Sequence, residues 1–474
     1  MMVISMFMSP EEKDQKIERL EQENQVLRQK IAELERRLGL DSQTSSKPPS
    51  SDGLKKSDKI RTKSLREKGK RPSGGQFGHV GQTLEQVLEP DNIVKHPTPG
   101  SCLSCGCDIS QIEAKKIIKR QIFDIPTPRI IITEHQVGVK ECPECFAQIQ
   151  GSFPESVKAP VQYGARIRAV TAYLNHQHFI PEDRLSEVLL DLFGCRMTPG
   201  TIANTTLTLA KIIEPAVIEI ASEVKAAAVK HLDETGLRIG GKTNWLHVVS
   251  TQTETWYRVA PKRKDIEVLD DIKGVVVHDH WKPYYQLLDV NHALCNAHHL
   301  RELKALEEIE QESWAKSMKK LLLLACNYKH RYPQGIPENI IARINQLYER
   351  IIKRGLDFHF SQIPLNRKGN RGRVKRRVGH NLLLRLQNYV DDVLRFLTEL
   401  DVPFTNNQAE RDLRMMKCKQ KISGGFRSFD FAVSFANIRS FLSTASKRGL
   451  NLLEVITDAL LGNVSVFLSS NPTS

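Results

Sequence analysis

The side chains able to do chemistry fall into two sets. Cys102-Leu-Ser-Cys105 and Cys142-Pro-Glu-Cys145 are paired C-x-x-C knuckles. Four thiolates at that spacing can close a tetrahedral zinc site, whose binding energy replaces the core that so small a module lacks. Cys107 is a spare thiol able to substitute. A redox role is the competing reading, disfavoured because two knuckles occur without a βαβ context. The second set is acidic. Asp233 and Asp279 each stand where a strand-like apolar run ends, and two aspartates at neighbouring strand ends can share a divalent cation that offsets their repulsion. Glu410, in Thr405-Asn-Asn-Gln-Ala-Glu-Arg-Asp-Leu-Arg, offers a third carboxylate near the start of a helix capped by Asn406 or Thr405. On that helix Glu410, Arg414, Lys417 and Lys421 share one face, while Ala409, Leu413 and Met416 form a buried stripe. A metal ligand followed by cations suits a phosphodiester substrate, and an open three-carboxylate site suits Mg2+ or Mn2+ and in-line displacement. Spacing leaves Glu234, Asp289 and Asp412 as rival acids, and three unrelated surface acids are the plainer alternative.

The elements that must position these residues are legible from periodicity. Val229 to Asp233, Asn244 to Ser250, Thr255 to Ala260, Gly274 to Asp279 and Asn291 to Cys295 read as strands; the unalternated Val275 to Val277 suits a central strand buried on both faces. The 130 residues between Asp279 and Glu410 exceed any strand-to-helix connection, which implies a helical insertion from about Gln311 to Leu400. Within it Arg367, Lys368, Arg371, Arg373, Lys375, Arg376 and Arg377 are a candidate clamp on a DNA backbone or, equally, a solvated loop. Upstream, Pro181 to Phe193, a stop at Gly194, and Pro199 to Ile212 with Thr198 as N-cap have the shape of a helix-turn-helix offering Thr201, Asn204 and Thr205 to a groove. Such helix pairs also occur in ordinary cores. Strand-like stretches at Ile117 to Ile125 and Arg129 to Lys140 would join the two knuckles as in a zinc ribbon.

At the N-terminus Ile17, Asn24, Ile31 and Leu38 repeat with Leu20, Leu27 and Leu34 at the a and d positions of a heptad. The pairs Lys16 to Glu21, Glu23 to Arg28 and Lys30 to Glu35 are opposite in sign across a parallel dimer, and Asn24 would fix register. A lone amphipathic helix is the alternative. Asp41 to Gln82 is rich in Ser, Pro, Gly and basic residues; it reads as a tether able to neutralise DNA phosphates.

Length suggests about three domains, and 40% apolar with 26% charged residues excludes a wholly disordered chain. The net charge of +14 favours a polyanion, nucleic acid before membrane. No apolar run reaches the roughly 18 residues of a membrane span, and Met1 to Met8 lacks the basic flank of a signal peptide. A cytoplasmic, nucleoid-associated protein is expected, with its nine cysteines reduced and available to metal.

Several stretches in order resemble the insertion-sequence-66 family of bacterial DDE transposases: the zipper; Ser45-Ser-Lys-Pro-Pro-Ser-Ser-Asp52; Gly74-Gly-Gln-Phe-Gly-His-Val-Gly81; the knuckles; His231-Leu-Asp-Glu-Thr235; Val277-His-Asp279; Cys295-Asn-Ala-His-His-Leu-Arg301; Asn406-Asn-Gln-Ala-Glu-Arg411 with Gly424-Gly-Phe-Arg427. The resemblance implies that Asp233, Asp279 and Glu410 are a catalytic triad for magnesium on a ribonuclease-H-like fold. It also implies that His298 and Arg301 lie beside the site in a substrate-contacting or positioning role; Arg411, Arg414, Lys417, Lys421, Arg371 and Arg373 are the further candidates for DNA contact, read from their charge. The expected architecture is multidomain α/β: zipper 1–42, basic linker 43–82, zinc module 83–155, helical block 156–215, catalytic core 216–310 and 401–445, helical insertion 311–400 and tail 446–474. The implied activity is metal-dependent strand cleavage and strand transfer at the ends of an insertion sequence, by a homodimer or higher assembly, with companion proteins of the same element as further partners. A DNA-binding regulator derived from a transposase, without catalysis, and a cellular nuclease of the same fold are the alternatives.

Overall fold

The computed structural model describes residues 10–39, 83–365, 376–464 and 467. The basic linker and, in the insertion, Arg371 and Arg373 lie outside the described residues. Helix α1 spans Pro10–Gly39 without a break, as the heptads require, and its seam residues Ile17, Leu20, Leu27 and Ile31 are exposed.

Two compact units follow from the packing. One contains α1 with Thr133–Asp191 and Cys195–Ser474; the other contains the described residues 83–132 and Leu192–Gly194. The first knuckle belongs to the latter. There Cys102 N–H donates to Cys107 O at 2.8 Å and Gly106 N–H to Cys102 O at 2.9 Å, with Gly106 at φ 74°. The second knuckle repeats this turn in the larger unit: Cys142 N–H donates to Ala147 O and Phe146 N–H to Cys142 O, both at 2.9 Å, with Phe146 at φ 57°. It is flanked by antiparallel β1 (Val139–Glu141) and β2 (Gln148–Gln150). The strand expected over Ile117 to Ile125 does not form, and Arg129 to Lys140 is a strand only at its last two residues. Apolar content signalled strands, but these segments have no ladder partner, and Ile117, Ile122 and Ile131 are exposed.

Four helices precede the main sheet: α2 (Ala165–His176), α3 (Glu182–Phe193), α4 (Pro199–Ile212) and α5 (Glu214–Ala226). Thr198 caps α4, its hydroxyl accepting from Thr201 N–H at 3.3 Å, and Gly194 takes the left-handed φ of 63° expected of a stop. The sheet comprises β3 (Val229–Ile239), β4 (Lys242–Ser250), β5 (Thr255–Ala260), β6 (Gly274–His278) and β7 (Val290–Leu294) in the order β5-β4-β3-β6-β7. The first three strands are antiparallel, and β6 and β7 run parallel to β3 and β6. This is a mixed α/β architecture.

Helices cover both faces. Leu232, Val249, Trp256 and Val276 share one core with α2, α4, α5, α12 (Phe429–Lys447) and α13 (Leu452–Leu460). Of the helix pair read as a groove-facing block, α4 is built into this core, and of the residues expected to face DNA Thr205 is buried, Thr201 half-buried and Asn204 exposed. The stretch expected as a tail likewise contributes Val455, Ile456 and Ala459 to the interior. On the opposite face Val275, Val277, Ala293 and Leu294 pack with α6 (Asn296–Ile309), α7 (Ser313–Arg331), α8 (Glu338–Ser361), α9 (Val378–Asn388) and α10 (Val390–Thr398). The last four of these helices occupy the expected insertion. Leu246, Val248 and Val259 meet α11 (Asn407–Ser423) through Ala409, Leu413 and Met416, the stripe read from spacing.

Candidate functional site

Strand register sets the two aspartates. His231 pairs with Val277 in the parallel β3–β6 ladder; two residues beyond these stand Asp233, inside β3, which continues to Ile239 rather than ending there as expected, and Asp279, immediately after β6. Both are half-buried. Burial drives the Asp233 carboxyl well above the ordinary carboxylate range, with the charges of Glu234, Asp279 and Glu410 adding to it. Burial and Glu234 push Asp279 up to about 7, against the opposing pull of Arg263.

The rival acids are committed elsewhere. Glu234 accepts from Arg263 Nε at 2.8 Å and from the Tyr284 hydroxyl at 2.6 Å. The Arg263 guanidinium is itself held between the rings of Trp245 and Trp281, 5.2 and 4.5 Å from their centroids. Asp412 accepts from Ser250 Oγ at 2.6 Å, Thr255 Oγ1 at 3.1 Å and Lys447 Nζ at 2.8 Å. Asp289 is exposed.

Helix α11 brings Glu410 in, and Asn406 secures that helix. Its side chain forgoes capping, although Asn406 occupies the N-cap position. Instead, buried Asn406 donates through Nδ2 to Leu232 O at 2.7 Å, and its Oδ1 accepts from His231 Nδ1 at 2.8 Å. The start of α11 is thereby fixed to β3 beside Asp233. Glu410 Oε2 lies 3.6 Å from Arg301 Nη2, and Oε1 lies 3.9 Å from His298 Nε2. Both partners come from α6, one on each side of a helical turn. Burial, reinforced by the charges of Arg301 and Arg385, pulls His298 down to about 3, so its ring is neutral at ordinary pH.

The expected convergence needs one correction. Among the described residues Asp233, Asp279 and Glu410 do not form a group with ligand atoms at metal-binding spacing. The group that does is Cys295, His298 and Glu410, with one ligand atom of each within 4.8 Å of the others. Cys295 is the N-cap residue of α6, and its Sγ accepts from Asn406 N–H at 3.0 Å. Burial pushes its thiol up to about 12 despite that donor and the backbone N–H groups of His298 and Ala297. No role for Cys295 follows from the motif alone; its three-residue spacing from His298 at a helix start is the signal the sequence carries. Of the cations beyond Glu410, Arg411, Arg414 and Lys421 are exposed and Lys417 is half-buried, so the charged face exists as spacing indicated.

The family model described as "Transposase IS66 family" matches residues 160–434, more than half of the chain and the whole of this site. The chain belongs to the IS66 transposase family. A second model, a family of unknown function called DUF6444, matches residues 6–85. An uncharacterized protein of Sinorhizobium fredii, y4jO, is 37% identical over 79 residues, or 17% of this chain and 25% of that protein. The chain thus spans about a quarter of the length of this curated relative. The transposase match runs from just before α2 into α12, so it takes in the sheet, the helical insertion and α11 together. Both cysteine knuckles lie between the two matched spans. No helix among the described residues is long and apolar enough to cross a membrane.

Proposed function

We propose that this transposase-family chain cuts and joins DNA at the ends of its own mobile element, with Asp233, Asp279 and Glu410 holding Mg2+ or Mn2+. The observation that carries the reading is that Asp233, within β3, and Asp279, immediately after the adjacent parallel β6, each stand two residues beyond the paired His231 and Val277, with a third acid brought in on a helix tied to β3. The strand order and directions also support a ribonuclease-H-like core.

Carboxylate oxygens suit a hard dication, and binding one requires the three groups to close from the separation seen here. Three carboxylates whose mutual repulsion raises Asp233 gain by sharing a positive ion, whereas Glu234 and Asp412 already have Arg263 and Lys447. When bound, the cation supplies Lewis-acid activation of the attacking oxygen and the scissile phosphate. Water attacks the phosphodiester at the element end and the 3′-oxygen leaves, giving a free 3′-hydroxyl. That hydroxyl then attacks a target phosphodiester, expelling the target's own 3′-oxygen, so no covalent protein intermediate or nucleotide cofactor is needed. Arg301 and His298 position Glu410, while Arg411, Arg414, Lys417 and Lys421 neutralise phosphates along the approaching strand. Arg371 and Arg373 extend this contact from the insertion. The matched turns at Cys102 to Cys105 and at Cys142 to Cys145 are each of a kind that presents two thiols to a structural zinc. The N-terminal helix pairs two copies as a coiled coil, the basic linker binds DNA, companion proteins of the element assist, and the assembly works at the nucleoid.

The test is cleavage and joining of element-end DNA with Mg2+ by wild type and by Asp279→Asn. The variant is expected to lose at least a thousandfold in rate while retaining DNA binding. Equal rates would overturn the assignment; binding without cleavage by wild type would identify a regulator, and cleavage without joining a nuclease.

A further inference from the structure

We propose that Cys295, His298 and Glu410 form a second cation site, one that takes a borderline-soft transition metal of the zinc class. The three ligand atoms lie within 4.8 Å of one another without any ion. Tetrahedral zinc with bonds of about 2.0–2.3 Å needs ligand atoms about 3.3–3.8 Å apart. The 3.9 Å between His298 Nε2 and Glu410 Oε1 is already close to that.

Unused valence points into the cluster. Glu410 Oε1, the atom facing His298 Nε2, is buried and has no hydrogen-bond partner, a costly condition for a polar atom that a ligand would relieve. The sulfur is prepared in a complementary way. It accepts the Asn406 N–H at 3.0 Å and sits at the N-cap of α6, so a hydrogen-bond donor and a helix N-terminus stabilise a metal-bound thiolate. Binding replaces the S–H bond by an S–metal bond and releases the proton to solvent.

Thiolate and imidazole select zinc-class ions over Mg2+, which prefers oxygen and demands octahedral geometry. Three protein ligands leave a fourth position open. Glu410 is shared with the proposed magnesium site, so zinc in this site would withdraw Glu410 from the dication used for strand cleavage. That last consequence rests on the proposed function; the site itself does not.

Zinc content of the full-length chain, measured by equilibrium dialysis against Zn2+, provides the test. Wild type is expected to hold one equivalent more than Cys295→Ser and one more than His298→Gln, each variant checked for an unchanged melting transition. Cys102→Ser should retain this equivalent, because the knuckles are separate from it. If Cys295→Ser fails to fold, the partly exposed His298→Gln decides alone. An unchanged zinc count in a folded His298→Gln protein overturns the proposal. Asp279→Asn should abolish cleavage yet keep the full count, which separates failure of the zinc site from failure of the catalytic reading.

Discussion

Arg263 illustrates how a neighbour of the candidate site is kept in place by electrostatics. Glu234 has a side chain that is 1% exposed and would bear an uncompensated charge without the guanidinium stacked between Trp245 and Trp281. Removing one member of such a buried pair costs about 3–5 kcal/mol, and removing both costs less. Arg263→Ala should therefore lower stability by roughly that amount in urea titrations, and Arg263→Ala with Glu234→Gln should recover part of it. Equal loss in single and double variants would show that the pair acts through packing alone. A second residue-scale effect comes from His176, buried against Thr206 and pulled down to about 3 by burial and by Lys419 and Arg439. The folded state keeps this ring neutral, while the unfolded chain takes up a proton as pH falls through about 6.5. Its contribution is thus complete above pH 6.5 and is lost as pH falls toward 3, at up to about 1.4 kcal/mol per pH unit. His176→Gln should flatten the acid limb of the stability profile; an unchanged slope would assign that limb to other groups. Such effects were not readable in advance, because Arg263 and His176 gain their roles only from residues distant in the chain.

At the scale of elements, what was legible is what depends on local periodicity. Strand β5 and the cap, body and stop of the α3–α4 pair lie where the sequence put them, since β-branched runs, a Thr-Pro start and a glycine stop are local codes. The Ile117 to Ile132 region failed for the complementary reason: its isoleucines are strand formers without a ladder to join. Asn406 was legible as a cap position but not as a brace, because its partners His231 and Leu232 O are 175 and 174 residues away. This bond is what ties α11 to β3. Asn406→Ala strands a buried carbonyl and a buried imidazole, at about 1–3 kcal/mol for each unsatisfied group. The expected outcome is a loss of about 2–6 kcal/mol in denaturant titration, together with loss of any activity that depends on Glu410. The turn after α11 makes a similar connection. Phe426 N–H donates to Arg238 O at 2.8 Å, and a Cβ at Gly425 would come within 2.6 Å of that same oxygen. Gly425→Ala should accordingly destabilise by about 1–3 kcal/mol, whereas alanine at Gly138, where a Cβ meets nothing, should be near neutral.

For the whole molecule, the governing fact is an excess of 14 positive charges on a chain whose N-terminal helix displays an apolar seam. Charge of one sign opposes association between copies, so a specific dimer must draw its stability from that seam and from the paired flanks of the heptads. Ile17, Leu20, Leu27 and Ile31 are each about half exposed in the single chain, and a partner helix in register would cover them. Leu20→Glu with Leu27→Glu places like charges at facing d positions and should halve the mass seen by sedimentation at moderate salt, leaving the far-ultraviolet signal of the larger unit intact. Asn24 gives the sharper discrimination. At an a position it lowers stability but enforces two parallel strands, because its amide is satisfied only by the same residue across the seam. Asn24→Leu should therefore raise the melting temperature of the assembly while admitting species larger than a dimer. If the melting temperature and the mass both stay unchanged, position 24 faces solvent and α1 is a lone helix.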